Sequence, residues 1–340
     1  MHKKEYSVLA IGVIVALAVV SYAQLARQSS QPPNNCGLKE EGTVILPKTV
    51  GRIDHLAISD RLGILAVAAR DNNSVVIMNL TSLKIIRATG GFNLPQGVAF
   101  VEKDNALVVT NGGNGTVSIL GSLHLGKIDS FQLPPGADNV ELDKSTGLLY
   151  VGYGVGGIAI INTSNRKIAG IVPLIGHPES FKVEGNGSLL FVNVPQGNYI
   201  AVANKTGGKV LGVWPIRNAT GVYPMALDAE HHLLYVASRS PSEFLVISTD
   251  TGTEIKRLSI PADADDVFYD SLNGCIYISS GEGYVTVIKE VARSYQVVQN
   301  IPTSPGARTS LLDPSSRIYF VAAPRYQNQS ARIIEYRIEG

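Results

Sequence analysis

Short apolar runs of about four to seven residues recur along the chain after residue 43, separated by Gly, Asn, Asp and Pro. They are too short for stable helices and rich in Val, Ile, Tyr and Phe, so they predict strands joined by tight turns. The clearest recurring element is a strand that closes on an acidic turn: HLAISD from His55, GVAFVE from Gly97, NVELD from Asn139, SFKVE from Ser180, PMALD from Pro224, DVFYD from Asp266 and RTSLLD from Arg308. The residues just ahead of these strands, Asp54, Gln96, Asp138, Glu179, Tyr223, Asp265 and Ala307, lie 42, 42, 41, 44, 42 and 42 positions apart.

So regular a period marks a repeated structural unit. A second strand such as ILAVAAR or LLYVGY follows each landmark, then a third such as SVVIMNL or GIAIIN, then a fourth such as KIIRAT or KVLGVW. Four antiparallel strands in about 42 residues make one blade of a propeller. Seven units therefore predict an all-β, seven-bladed β-propeller of four-stranded antiparallel blades over residues 43–340. The segment TVILPKTV, left over ahead of the first unit, is expected to lend a strand to the last blade. That closure would join the ends of the ring and remove an exposed sheet edge. The acids that end each landmark (Asp60, Glu102, Asp143, Glu184, Asp228, Asp270 and Asp313) fall in turns on one face and read as structural.

The first 42 residues follow a different pattern. His2, Lys3 and Lys4 precede an apolar run from Val8 to Val20, and Ser21, Tyr22 and Ala23 offer a small-x-small cleavage site. Residues 1–26 thus read as a signal peptide, or, if uncut, as a membrane anchor of about 19 apolar residues. Either way the body is extracytoplasmic, secreted or held at the outer face of the membrane, with membrane contact only through this segment. Residues 27–42, RQSSQPPNNCGLKEEG, read as a flexible linker. Eight Asn-x-Ser/Thr triplets, at Asn72, Asn79, Asn114, Asn162, Asn186, Asn204, Asn218 and Asn328, suggest a glycosylated surface, although Asn is also an ordinary turn residue. Cys36 and Cys275 can pair once exported; the simpler reading takes Cys275, in NGCIYIS, as a small buried strand residue.

Composition removes several functions. Twenty-nine Lys and Arg against twenty-eight Asp and Glu leave a net charge of +1, with no field to hold a nucleic-acid backbone. Two Cys exclude a cysteine-rich zinc module. No G-x-S-x-G elbow, H-E-x-x-H helix, complete G-x-x-x-x-G-K-S/T phosphate loop or C-x-x-C-H haem motif is present. A monomer is expected.

VVTN at 108–111 is close to the motif that names the YVTN-repeat (YncE-like) β-propellers, and the body of the chain resembles that family. GRIDH, PQGVA, ADNVELD, GHPESF, FVNVP, YPMALD, DADDVFYD and PGARTSLL resemble an exported branch of it. The resemblance implies seven blades but no single chemistry, because such propellers include binders, lactonase-like hydrolases and proteins without assigned activity.

In a propeller the first strand of each blade lines the channel, so the starts of these strands meet at one mouth. Five carboxylates gather there: Asp54, Asp138, Glu179, Asp265 and Asp266. Crowded acids must hold protons, pair with cations or ligate a hard ion. Asp138, Glu179, Asp265 and Asp266 are the candidate metal ligands, suited to Ca2+ or Mg2+, and no other cofactor is expected. Asp54, Gln96, Asn139 and Tyr223 from the inner ring, with Arg70, Asn111, Tyr153, Asn193, Arg239 and Glu282 from the loops between second and third strands, are the candidate ligand-binding residues. The expected function is binding of a small molecule, ion or protein at this acidic mouth. The alternative is a metal-dependent, lactonase-like hydrolase or lyase in which His55 or His177 transfers a proton and Arg308 steadies an oxyanion.

Overall fold

The computed structural model describes residues 36–291 and 294–339. Among these residues, strands group into seven four-stranded antiparallel sheets, with helix limited to two short turns at Arg70–Asn72 and Glu102–Asp104. Among the described residues no helix is long and apolar enough to cross a membrane. The expected leader at 1–26 and the first part of the expected linker lie outside the described residues.

Each landmark of the sequence repeat becomes the first strand of a blade: Leu56–Ser59, Pro95–Val101, Val140–Asp143, Phe181–Val183, Thr220–Asp228, Ala264–Asp270 and Thr309–Asp313. The second strands bury nearly every residue, because both of their faces meet another blade; Ile64–Ala69 and Ile318–Ala323 are buried throughout. That is why they read as continuous apolar runs and not as alternation. Fourth strands such as Ile85–Gly90 are mostly exposed.

Seven apolar clusters fill the spaces between neighbouring blades, including one between the last blade and the first. Tyrosines repeat at one place in the second strands and tie blades through their hydroxyls. Tyr150 donates to the Lys205 carbonyl at 2.9 Å, and Tyr277 donates to the Cys36 carbonyl at 3.2 Å. Burying each such ring contributes about 1.5–3 kcal/mol, and the hydroxyl bond removes the penalty of a dry phenol.

The seventh blade takes Thr309–Asp313, Ile318–Ala323 and Arg332–Ile338 from the end of the chain and its outermost strand, Leu38–Ile45, from the beginning. The strand expected from TVILPKTV therefore starts earlier than expected, at Leu38, and stops at Ile45. Residues 38–42, assigned to the linker by their polarity, form its first half. An outermost strand has little to bury, so Lys39, Glu40 and Glu41 sit exposed while the backbone of Lys39 and Glu40 pairs with the neighbouring strand and Glu41 bulges from it. Burial pattern cannot reveal such a strand. Cys36 and Cys275 form a disulfide with Cα atoms 5.7 Å apart, which corrects the reading of Cys275 as only a small core residue.

Four of the Asn-x-Ser/Thr triplets have a structural role. Asn79, Asn162 and Asn204 close the turn between third and fourth strands in three blades, each side-chain oxygen accepting backbone N–H bonds from two and three residues on. Asn114 accepts from the Thr116 amide in the same way. Part of the excess of triplets is therefore turn chemistry repeated by the fold.

Candidate functional site: the mouth of the channel

The residue ahead of each first strand is aimed at the channel by a backbone tie to the second strand of its own blade. The amides of Asp54, Asp138 and Glu179 donate to the carbonyls of Ala68, Gly152 and Asn193 at 2.8, 2.9 and 3.1 Å. Repeating that tie around the ring converts a period of about 42 residues into a circle of side chains. His55, Asp138, Asn139, Glu179, Tyr223, Asp265 and Asp266 all line one pocket at the mouth, together with Arg52, Ser180 and Thr309. Its free volume is about 30 Å3, room for an ion or a water-sized group.

The pocket divides by charge. On one side, Asp265 faces three guanidiniums: Arg52 at 3.4 Å, Arg308 at 3.1 Å and Arg239 in closer contact. Arg239 also lies 3.8 Å above the Tyr223 ring, and Asp263 bridges Arg239 and Arg308 at 3.0 and 2.7 Å. Beneath, Asp54 is wholly buried and contacts His55 Nδ1 at 3.1 Å, Arg52 at 3.4 Å and Arg70 at 3.8 Å. Burial works against the Asp54 carboxylate, yet His55 and the two arginines hold its pKa down at about 2. Burial likewise opposes the His55 imidazolium, and Asp54 raises it to about 10.

The other side has carboxylates without such compensation. Burial and the neighbouring Asp138 charge push Glu179 up to about 7, and its side chain makes no hydrogen bond or ion pair among the described residues. Asp138 is nine-tenths buried, with His177 Nε2 as its partner at 3.5 Å. Asp266 is pushed up to about 7, mainly by burial, although it accepts the Ser310 amide at 2.6 Å. His177 Nδ1 donates to the Gly154 carbonyl at 2.7 Å. Burial opposes the His177 charge, but Asp138 and the Gly154 carbonyl raise its pKa to about 9.

This geometry redistributes the expected roles. Asp265, expected as a metal ligand, is neutralised by three arginines and stands in the ion-pair network. Asp266 accepts a backbone amide. His177, expected as a proton carrier, joins Asp138 and Glu179, one donor atom from each lying within 4.8 Å of the others. Arg308 is held by Asp263 and Asp265, and His55 is bound to Asp54 as a cation, so neither is free for the catalytic part expected of it.

The outer ring of candidate ligand-binding residues is mostly structural. Asn111 is buried, donating to the Thr116 carbonyl at 2.8 Å and accepting the Asn93 amide at 3.1 Å. Asn193 is fully buried and donates to the carbonyls of Tyr223 and Pro224 in the next blade, at 3.1 and 3.0 Å. Glu282 accepts the Ala262 amide at 2.7 Å, and Tyr153 packs on the core between the second and third blades. Gln96 is buried, its amide oxygen lying over Gly112 and away from the pocket. Arg70 pairs with Asp71 at 2.7 Å and reaches Asp54 beneath the pocket.

Arg52, Asp263, Ser180 and Thr309 were not anticipated. A signal for the first two exists: His177 precedes its landmark acid by two residues, and Arg52 and Asp263 occupy the same place ahead of Asp54 and Asp265. Extending the repeat alignment upstream exposes all three.

Ring, blade order and strand count define the chain as a seven-bladed β-propeller. No family model matches the sequence, and no curated protein matches it significantly. Among solved structures 1730 chains match, so the fold by itself selects no function. The chain is similar to one from Kuenenia stuttgartiensis hydrazine synthase, with 15% identity and a TM-score of 0.74, over 86% of this chain and 97% of that one. It is similar also to a chain in the crystal structure of a mitotic checkpoint complex, with 15% identity and a TM-score of 0.76, over 92% and 96% of the two chains. Likeness at this identity establishes the fold alone.

Proposed function

We propose that the chain is an exported propeller of the YVTN-repeat, YncE-like kind that binds a small polar ligand or ion at the mouth of its channel, with no turnover required. One observation carries this reading: Glu179 presents a desolvated carboxylate, with no side-chain hydrogen bond or ion pair among the described residues, to a pocket that Asp138 of another blade also lines. Burying such groups costs stability, and a purely structural network would pair them as it pairs Asp54 and Asp265. The small pocket favours an ion or the polar head of a ligand over a bulky molecule. Export rests on the leader-like segment at 1–26, and a glycan coat rests on the triplets that do not already cap turns. The checkpoint chain belongs to a complex by its title, which supports a protein partner for this propeller as well.

Proton transfer has weaker support. His55 and His177 titrate at about 10 and 9, so both are cations at neutral pH and neither is a ready general base. The deciding experiment is a thermal-shift screen of cations, amino acids and small organic acids, followed by calorimetry on Glu179→Gln and Asn139→Ala. A mouth ligand should raise the melting temperature of the wild type and lose at least about tenfold in affinity in either variant. If every stabilising compound binds both variants as it binds wild type, the mouth is not the binding site.

A further inference from the structure

We propose that Asp138, His177 and Glu179 form a three-residue site for a divalent transition ion of the Zn2+ class at the wall of the channel mouth, an inference that rests on the mouth being the binding site. Three separate observations converge on it. One donor atom of each side chain lies within 4.8 Å of the other two. Ligands around a tetrahedral zinc stand about 3.4 Å apart, so the group has to draw in by about 1 Å. The Glu179 side chain has no hydrogen bond or ion pair among the described residues to break in doing so.

His177 is oriented for the task. A carbonyl oxygen can only accept, so the 2.7 Å contact with Gly154 places a proton on Nδ1 and turns Nε2 toward Asp138, and an incoming ion displaces the second proton, on Nε2, to solvent. Ligating histidines are held in this way, the second ring nitrogen donating to a carbonyl or carboxylate that fixes the ring. Asp138 supplies the third indication. Its side chain is 12% exposed, and among the described residues the charged group it contacts is the His177 ring, with Nε2 at 3.5 Å, the long end of the hydrogen-bond range. A largely buried carboxylate with one long contact therefore faces the place an ion would occupy.

Donor chemistry decides the metal. Ca2+ takes six to eight oxygens and Mg2+ holds most of its water, so neither gains from an imidazole. One nitrogen and two carboxylates, with an open fourth position, suit zinc and its neighbours in the first row. Asp138 and Glu179 both line the pocket, so a bound ion would face the mouth.

The test uses the purified chain, freed of metal by a chelator and titrated calorimetrically with ZnCl2, CaCl2 and MgCl2. One Zn2+ per chain is expected, with His177→Ala and Glu179→Gln each weakening it at least about tenfold and Ca2+ binding much more weakly. Replacing His231 and His232 together, which pair with Asp228 and Asp250 at 2.8 and 3.0 Å, should leave that step unchanged. Melting curves of each apo variant confirm that it is folded. Absence of a saturable zinc step, a step insensitive to both mouth variants, or Ca2+ binding as tight as Zn2+ overturns the proposal. If zinc fails while another mouth ligand still depends on Asn139, only the metal assignment falls; if both fail, the binding reading falls with it.

Discussion

At the scale of single residues, the mouth separates groups that stabilise the fold from groups that do not. Asp54 and His55 reinforce each other. The carboxylate's contribution is present above its ordinary value of 3.8 and is lost as pH falls toward about 2, whereas the imidazolium's is present below 6.5 and is lost as pH climbs toward about 10. Glu179 behaves in the opposite sense. Its native value of about 7 lies above the ordinary 4.5, so the native state binds the extra proton between those values and stability falls as pH rises through that window. Glu179→Gln removes the penalty. The variant should match wild type at pH 4.5 and exceed it by about 1–3 kcal/mol at pH 8, read by urea denaturation at both values. Equal stability at pH 8 would mean that Glu179 is solvated or paired in solution. A residue that weakens the empty protein yet sits in its pocket is the kind retained for binding.

Between elements, the site depends on how closely the blades approach. Gly97 lies within the first strand of the second blade, and a Cβ there would collide with the Asp138 carbonyl of the third. Its amide donates to Thr110 Oγ1 at 2.7 Å, and the Thr110 hydroxyl in turn donates to that same carbonyl. Gly97→Ala should therefore cost about 1–3 kcal/mol by overpacking and also weaken any ligand that depends on Asp138. A variant with lower stability but unaltered affinity would show that the blades shift without moving the carboxylate. Asn193 plays a comparable part between the fourth and fifth blades. Its landmark period was visible in the sequence, but its role was not: burial and the two carbonyls it serves belong to the neighbouring blade. Asn111 and Gln96, whose polarity suggested ligand contact, are instead engaged within their own blade, Asn111 by the Thr116 carbonyl and the Asn93 amide and Gln96 against Gly112.

For the whole molecule, closure is the governing feature. Leu38–Ile45 pairs with Arg332–Ile338, the apolar cluster between last and first blades seals the ring, and the Cys36–Cys275 disulfide links positions 239 residues apart. A cross-link over so long a loop restricts the unfolded chain strongly, by about 2–5 kcal/mol. Replacing both cysteines with Ala should lower stability by that amount while leaving mouth affinity unchanged, because the bond lies among the residues of the sixth and seventh blades and none of its atoms lines the pocket. Loss of ligand affinity in the folded double variant would show that the mouth is sensitive to closure at the far side of the ring.

The repeat of about 42 residues by itself determined the number of blades, the strands of each and which residues begin them, because β-structure is patterned locally and every unit solves the same packing problem. It also placed most of the pocket lining at one mouth, since identical units in a ring bring equivalent positions together. Pairing among those residues was decided only by the tertiary structure. Whether an acid at the mouth meets three arginines, as Asp265 does, or a histidine and another acid, as Asp138 does, depends on side chains from other blades, and distances across a ring leave no trace in the order of the chain.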